Sequence, residues 1–285
     1  MALFLSTPIL GFIRSFPQPA KSMLILGLAI VLSTMSMAIL APYVAPYDPT
    51  SRVYIEFQPP TWSYLMGTNH VGMDVFSRIV WGSRVVLFVV AASAAISMAF
   101  GVPLGLISGY YGGLVDRVLS IIMDSIYAFP SLILAIAVAA VLGPSPLNAA
   151  ISIAIVYVPT YYRMVRGETL KVKQMPFIEA LIVLGCSDAT VFKSILRNIT
   201  QTILVVFSLS VADAILTEAA LSFLGLSVTW PTPDWGLDLR SGQPHLLNGY
   251  WWISMCPGLM IIALSLGFAL IGEALSDYFS ITTKV

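Results

Sequence analysis

Four stretches of this chain run for twenty residues or more without a charged side chain, and they constrain its fold more tightly than anything else in the sequence. Ser22 to Ala41 supplies twenty such residues, about the length that crosses a bilayer core as a helix. Val85 to Val115 follows, ending in Gly109-Tyr110-Tyr111-Gly112-Gly113, which predicts a helix over 85–107 and then a turn. Ser125 to Tyr162 is thirty-eight residues, too long for one crossing, and Gly143-Pro144-Ser145-Pro146 divides it into a hairpin with helices over 119–142 and 148–165. Ser241 to Gly272 gives a helix over 251–275, and a further apolar segment, interrupted by two acids, gives one over 201–222. The expectation is an all-α integral membrane protein with six transmembrane helices. In lipid every backbone polar group must be satisfied within the segment, which leaves helices as the economical answer. Composition agrees: charged residues make up 10% of the chain, against about 25% in a soluble domain.

The segments divide as a tail over 1–21, a first span over 22–41, a polar loop over 42–81 and a core over 82–280 holding the other five spans. Ser36-Met37-Ala38 would pass as a cleavage triplet, but twenty apolar residues behind a 21-residue leader favour an uncleaved anchor. Orientation follows the distribution of Lys and Arg. With the N-terminus inside, ten of the fourteen lie on the cytoplasmic side (Arg14, Lys21, Arg117, Arg163, Arg166, Lys171, Lys173, Lys193, Arg197, Lys284). Arg52, Arg78, Arg84 and Arg240 lie outside, so both termini and the loop over 166–200 are expected in the cytoplasm of a cell membrane.

Several chemistries are excluded or left without support. Lys+Arg and Asp+Glu balance at fourteen each, so net charge argues neither for nucleic acid nor against it, and no nucleic acid is expected among the partners. Cys186 and Cys256 form no CxxC pair, His70 and His245 fall in no metal-ligand spacing, and neither a Gly-x-Ser-x-Gly nucleophile turn nor a phosphate-cradling G-x-x-x-x-G-K-[ST] loop occurs. The chain is expected to bind no cofactor or metal and to catalyse nothing itself.

The loop over 166–200 is unusual for so apolar a chain. Ile178, Leu181, Ile182 and Leu184 keep near-helical spacing before Gly185, and Val191, Phe192, Ile195 and Leu196 resume it afterwards. Ser187 can cap the second helix, Asp188 suits its first turn, and Gly185 supplies a tight bend free of a Cβ atom. The pattern predicts a short amphipathic helix–turn–helix in water. Periodicity alone favours a plain connector between the fourth and fifth spans.

Glu179-Ala180, then Gly185, then Ile195-Leu196-Arg197-Asn198 resembles the EAA loop of binding-protein-dependent ATP-binding-cassette importers. Met66-Gly67-Thr68-Asn69-His70-Val71-Gly72-Met73-Asp74, Gly101-Val102-Pro103-Leu104-Gly105, Ala128-Phe129-Pro130-Ser131, Leu216 to Leu226 and Pro231-Thr232-Pro233-Asp234-Trp235-Gly236 resemble the dipeptide/oligopeptide/nickel branch of that family, in particular its second permease subunit. The resemblance implies a type I importer permease fold and a subunit that forms half of a translocation pathway for di- or oligopeptides. Close relatives that carry nickel chelates or oligosaccharides leave the cargo open. It implies partners: a homologous second permease subunit, two ATPase subunits that bind ATP and Mg, an extracytoplasmic substrate-binding protein, and membrane lipid. It further implies that Glu179, Ala180, Gly185, Ser187, Asp188, Ile195, Leu196 and Asn198 meet an ATPase. Asn69, Met73, Ser194, Arg197 and Asp213 depart from the family pattern.

Asp124, Asp213 and Glu218 are acids within or beside predicted spans, where a charge is expensive and usually functional or paired. They are candidates for the pathway. They are also what an ion-coupled carrier or channel would need, although Asp213 and Glu218 lie about 140° apart around a helix. Trp62, Tyr64, Trp230 and Trp235 in the outer loops are candidates for contact with the binding protein, or for an interfacial aromatic belt.

Overall fold

Asp74 starts the longest helix of the chain: its carboxylate accepts the Ser77 backbone N–H at 2.7 Å and so satisfies one donor of the exposed first turn. The computed structural model describes residues 16, 18–52 and 55–282. The tail expected over 1–21 falls largely outside these residues, as does Lys284. The helices are α1 (Ala20–Ile39), α2 (Ala41–Val44), α3 (Val75–Tyr111), α4 (Gly113–Tyr127), α5 (Ser131–Leu142), α6 (Pro146–Lys173), α7 (Pro176–Val183), α8 (Asp188–Phe223), α9 (Trp235–Gly242) and α10 (Trp252–Thr282). A 3-10 turn, Gln243–Asn248, joins α9 to α10.

Among the described residues, α1, α3, α8 and α10 are long and apolar enough to cross a membrane, and α4 with α5 makes a fifth candidate if that bent pair is one span. The remaining expected crossing is α6, whose 28 residues include Asn148, Tyr157, Tyr161, Tyr162 and a charged final third. It misses the apolar standard that the others meet.

Three expectations are corrected. The loop over 42–81 is shorter than its charges imply, because α3 begins at Val75. Arg78 does not end the helix, since its charge is answered by neighbouring loops. The predicted helix over 119–142 is two helices bent by 90° at Ala128-Phe129-Pro130. Pro130 has no N–H to give to a continuing helix, and its ring drives Phe129 out of helical geometry. The third correction concerns the second half of the loop over 166–200. It is no separate short helix but the first turns of α8, which runs unbroken for 36 residues from Asp188 into the bundle.

Small residues set the packing. Gly101, Gly105 and Gly109 form one face of α3, and a Cβ at any of them would lie within 2.6–2.7 Å of α6, at Tyr161, Tyr162 and Thr169. Lipid gives helices little hydrophobic reason to associate, so close backbone approach and cross-helix hydrogen bonds carry the contact. Ser97 donates to the Ala154 carbonyl across this seam at 3.2 Å, and Ser265 of α10 donates to Ala212 of α8 at 3.0 Å. Gly27 of α1 approaches Gly267 of α10 in the same way.

Candidate functional site

Three regions interrupt the bundle: a turn around α7 at one end, a cleft part-way along, and a buried knot at the other end.

The first region, a candidate coupling turn, is built on α7. Ile178 is fully buried against a cluster that includes Val172, Val191, Ile195 and Ile199, which seats this eight-residue helix on α6 and α8. Its outer face is uncovered: Val183 is 86% exposed and Leu184 78%, with Phe177, Glu179, Ala180 and Ile182 also exposed. The helix closes with the Cys186 N–H on the Leu181 carbonyl and the Gly185 N–H on the Ile182 carbonyl, both at 3.0 Å, while Gly185 sits at φ +73°. That is the Schellman arrangement, which requires a left-handed residue at Gly185's position. A Cβ on Gly185 would meet nothing within 4 Å, so the glycine answers to backbone handedness and not to crowding.

The other expected coupling residues divide. Ser187 occupies the N-cap position of α8 without capping it; its hydroxyl pairs with Thr190 Oγ1 at 3.1 Å. Ile195 turns inward to the cluster around Ile178, while Leu196 and Asn198 are exposed, the latter donating to the Ser194 carbonyl at 3.0 Å. Asp188 also ties α8 to α3, for its carboxylate accepts from Tyr111 Oη at 2.7 Å and Tyr110 Oη at 3.1 Å. Lys173 clasps the same corner through the Tyr110 carbonyl at 2.5 Å. A second tie, invisible in the sequence, joins α4 to α6: Arg166 holds Asp116 with two bonds of 2.5 and 2.7 Å, and Ser108 donates to Asp116 as well. The partners are 50 to 78 residues apart, so no local pattern announces them.

The cleft, of about 520 Å³, opens between the α4–α5 bend, α6 and α8. Tyr127, Phe129, Tyr157, Thr160, Ser210 and Asp213 are among its lining residues. Of the three candidate pathway acids it takes only Asp213. Asp124 is 57% exposed and paired with Arg163 at 3.5 Å, beside the cleft and not in its wall. Glu218 has no exposure at all and belongs to the knot.

The knot joins the end of α8 to α9 and the start of α3. Glu218 receives the Ser227 hydroxyl at 3.2 Å and lies against Asp234, which also takes the Ser222 hydroxyl and caps α9 through the N–H groups of Gly236 and Leu237. Arg78, 2% exposed, bonds Asp238 at 2.7 Å and donates to the carbonyls of Pro49 and Pro231. The Trp230 ring covers its guanidinium at 4.5 Å. Trp235, expected at a docking surface, is wholly buried and donates to the Ile79 carbonyl at 2.9 Å. Burial pushes the Asp238 carboxyl up to about 6 even with Arg78 pulling it down, and raises Asp234 too. Beside Trp230, His70 stacks on His245 at 5.5 Å. Burial first, then His245 and Arg78, hold His70 below its ordinary value. No group of three metal-ligating side chains occurs among the described residues.

Apolar helices packed through glycines around a largely apolar cleft that holds one acid, with one short helix left bare beyond the bundle, are those of a multi-pass membrane transport subunit. The chain belongs to the family described as binding-protein-dependent transport system inner membrane component, which matches residues 101–281. It is 36% identical over 279 residues to the dipeptide transport system permease protein DppC of Haemophilus influenzae, covering 95% of this chain and 94% of that one. It is 39% identical over 272 residues to the protein of the same name from Alkalihalophilus pseudofirmus, covering 93% and 88%. It is 36% identical over 252 residues to the glutathione transport system permease protein GsiD of Pectobacterium atrosepticum, covering 87% and 83%.

Proposed function

We propose that this chain is one of two permease subunits of an ATP-binding-cassette importer that carries di- or oligopeptides handed over by a substrate-binding protein. The family membership and relatives named for dipeptide and glutathione transport support the peptide reading. Two ATPase subunits bind ATP and Mg and perform the hydrolysis; this chain binds no cofactor. Six spans, with α6 as the crossing that faces the pathway, leave both termini and α7 in the cytoplasm of the cell's inner membrane.

The observation that carries this reading is the bare outer face of α7. A short amphipathic helix laid into a groove is a common recognition mode, and here the inner face is already engaged by Ile178 while Val183 and Leu184 are free for a partner. Closure of the ATPases on ATP pushes on α7. The Ile178 cluster, the Asp188–tyrosine tie and the Arg166–Asp116 tie pass that push to α8, α3 and α4 together. The bundle then moves as a rigid body between inward-open and outward-open states, which is how a two-state element is biased by a ligand. Glu179, Ala180, Leu196 and Asn198, all exposed, extend the same contact.

The test is Val183→Asp with Leu184→Asp in the assembled complex. Membrane insertion and pairing with the second permease should persist, while co-purifying ATPase and substrate-stimulated hydrolysis fall at least tenfold. ATPase retained at the level of the unaltered complex would refute the docking role of α7.

A further inference from the structure

Six acids around the turn at α7, the cleft and the knot have answering groups, while Glu179, Glu273 and Asp277 lie away from the cleft wall. Asp116 has Arg166, Asp124 has Arg163, Asp188 has two tyrosines, Asp238 has Arg78, and Glu218 and Asp234 share the serines of the knot. Asp213 differs. Its backbone carbonyl takes the Thr217 hydroxyl at 3.0 Å, but among the described residues no hydrogen bond or ion pair reaches its carboxylate. It is also the only charged residue in the wall of the cleft. The two arginines of α6 are already engaged: Arg163 with Asp124 and the Tyr127 face, Arg166 with Asp116. Asp213 is exposed on the cleft wall, on a helix whose neighbouring residues Ala212 and Ala214 are buried, so its charge stands open to whatever enters the cleft.

We propose that Asp213 is a fixed negative point in the translocation cleft that receives the positively charged group of the cargo, an ammonium or guanidinium, so that cationic and zwitterionic solutes pass in preference to anionic ones. The cleft suits such a ligand. Its volume of about 520 Å³ lies within the range of small-molecule sites, roughly 300–1,000 Å³. Phe129 and Tyr157 add aromatic side chains to its wall, which also attract cations, and Thr160 and Ser210 supply hydroxyls for the cargo's amide groups. Asp213 is thus a specificity-determining residue of the pathway, an assignment that rests on reading this chain as a permease.

The experiment uses the whole complex in nanodiscs, free of other reactive cysteines, with one cysteine at Thr160 in the cleft wall. The measurement is the labelling rate by a cationic (trimethylammonium-ethyl) and an anionic (sulfonatoethyl) methanethiosulfonate. Normalised to a free thiol, the cation-to-anion ratio should be about fivefold above one, the size expected of a single nearby charge in a partly hydrated site. Asp213→Asn should abolish that preference and Asp213→Glu should keep it. In proteoliposomes, Asp213→Asn should lower import of a lysyl dipeptide at least threefold more than import of a glutamyl dipeptide. A ratio near one in the complex carrying Asp213, or a ratio unmoved by the Asn variant, would overturn the assignment. Charge-selective labelling in a complex that imports no peptide would instead refute the peptide reading and leave the role of Asp213 standing.

Discussion

Replacing Gly185 separates two reasons for a glycine that the sequence alone conflates. Its backbone lies at φ +73° and the space where a Cβ would go is empty. The cost of a side chain here is therefore conformational. For alanine the left-handed region costs about 1–2 kcal/mol, for β-branched valine more, and asparagine tolerates it best among residues with a side chain. A penalty of 1–2 kcal/mol lowers the ratio of closed to opened turn about 5- to 30-fold. What opens is the pair of hydrogen bonds from Gly185 and Cys186 to Ile182 and Leu181, which hold Val183 and Leu184 at the outer face. Substrate-stimulated ATP hydrolysis by the purified complex should fall in the order glycine, asparagine, alanine, valine. Insertion into the membrane should be unchanged, because Gly185 lies outside the packed bundle. The assay is hydrolysis against substrate concentration, with co-purifying ATPase measured in parallel. If asparagine is as defective as valine, a partner presses on this position and space governs it; if alanine equals glycine, the turn plays no part in coupling.

Three further outcomes are expected. Arg78→Met leaves Asp238 buried without its counter-charge and should destabilise the complex by about 3–5 kcal/mol, read as an early detergent melting transition. Gly105→Ala puts a Cβ 2.6 Å from the Tyr162 carbonyl and should cost about 1–3 kcal/mol, with Gly105→Leu abolishing folded protein in fluorescence-detected size exclusion. His70 is held below its ordinary value of 6.5 while an opened loop would take its proton near 6.5, so the stability it contributes above that pH is lost as pH falls through 6.5 toward the folded value. Asp238 acts oppositely, since its carboxyl titrates at about 6 in the fold against 3.8 ordinarily, and its ionisation costs stability as pH rises from about 4 to about 6. His70→Gln should therefore turn a melting temperature that drops on acidification from pH 7 to 5 into one that holds or rises; an unchanged profile would refute the assignment to His70.

The sequence discloses what depends on long apolar runs and on single punctuating residues. Ser22 to Ala41 predicts α1 within two residues, and Gly143-Pro144-Ser145-Pro146 marks the hairpin that Asn148 closes by donating to the Leu142 and Gly143 carbonyls. Charge was the misleading guide. Arg78 and Arg84 push the predicted start of α3 too late, because counting charges cannot reveal that Arg78 is already paired by residues 160 positions away. The same blindness puts Glu218 in the pathway, when Ser227 and Asp234 take it into the knot. Pro130 lies within an otherwise continuous apolar run, which hides its bend. At the turn after α7 the position of Gly185 is legible, whereas its left-handed backbone and the ties from Asp188 to Tyr110 and Tyr111 need three-dimensional information.

The unbroken course of α8 imposes a phase relation on the molecule. One helix carries Asp188 at the docking turn, Asp213 in the cleft and Glu218 in the knot, spanning about 54 Å at the usual rise per residue. Their azimuths are therefore locked to one another by residue count. Inserting a single residue between Ile199 and Ala212 would rotate everything beyond it by about 100°, swinging Asp213 out of the cleft wall even if each end stayed folded. An insertion of four residues would bring the azimuths back to within about 40° while displacing the two ends by roughly 6 Å along the axis. Length along α8 should thus tolerate change only in steps near a whole turn, and departures from that step would put the two ends out of phase.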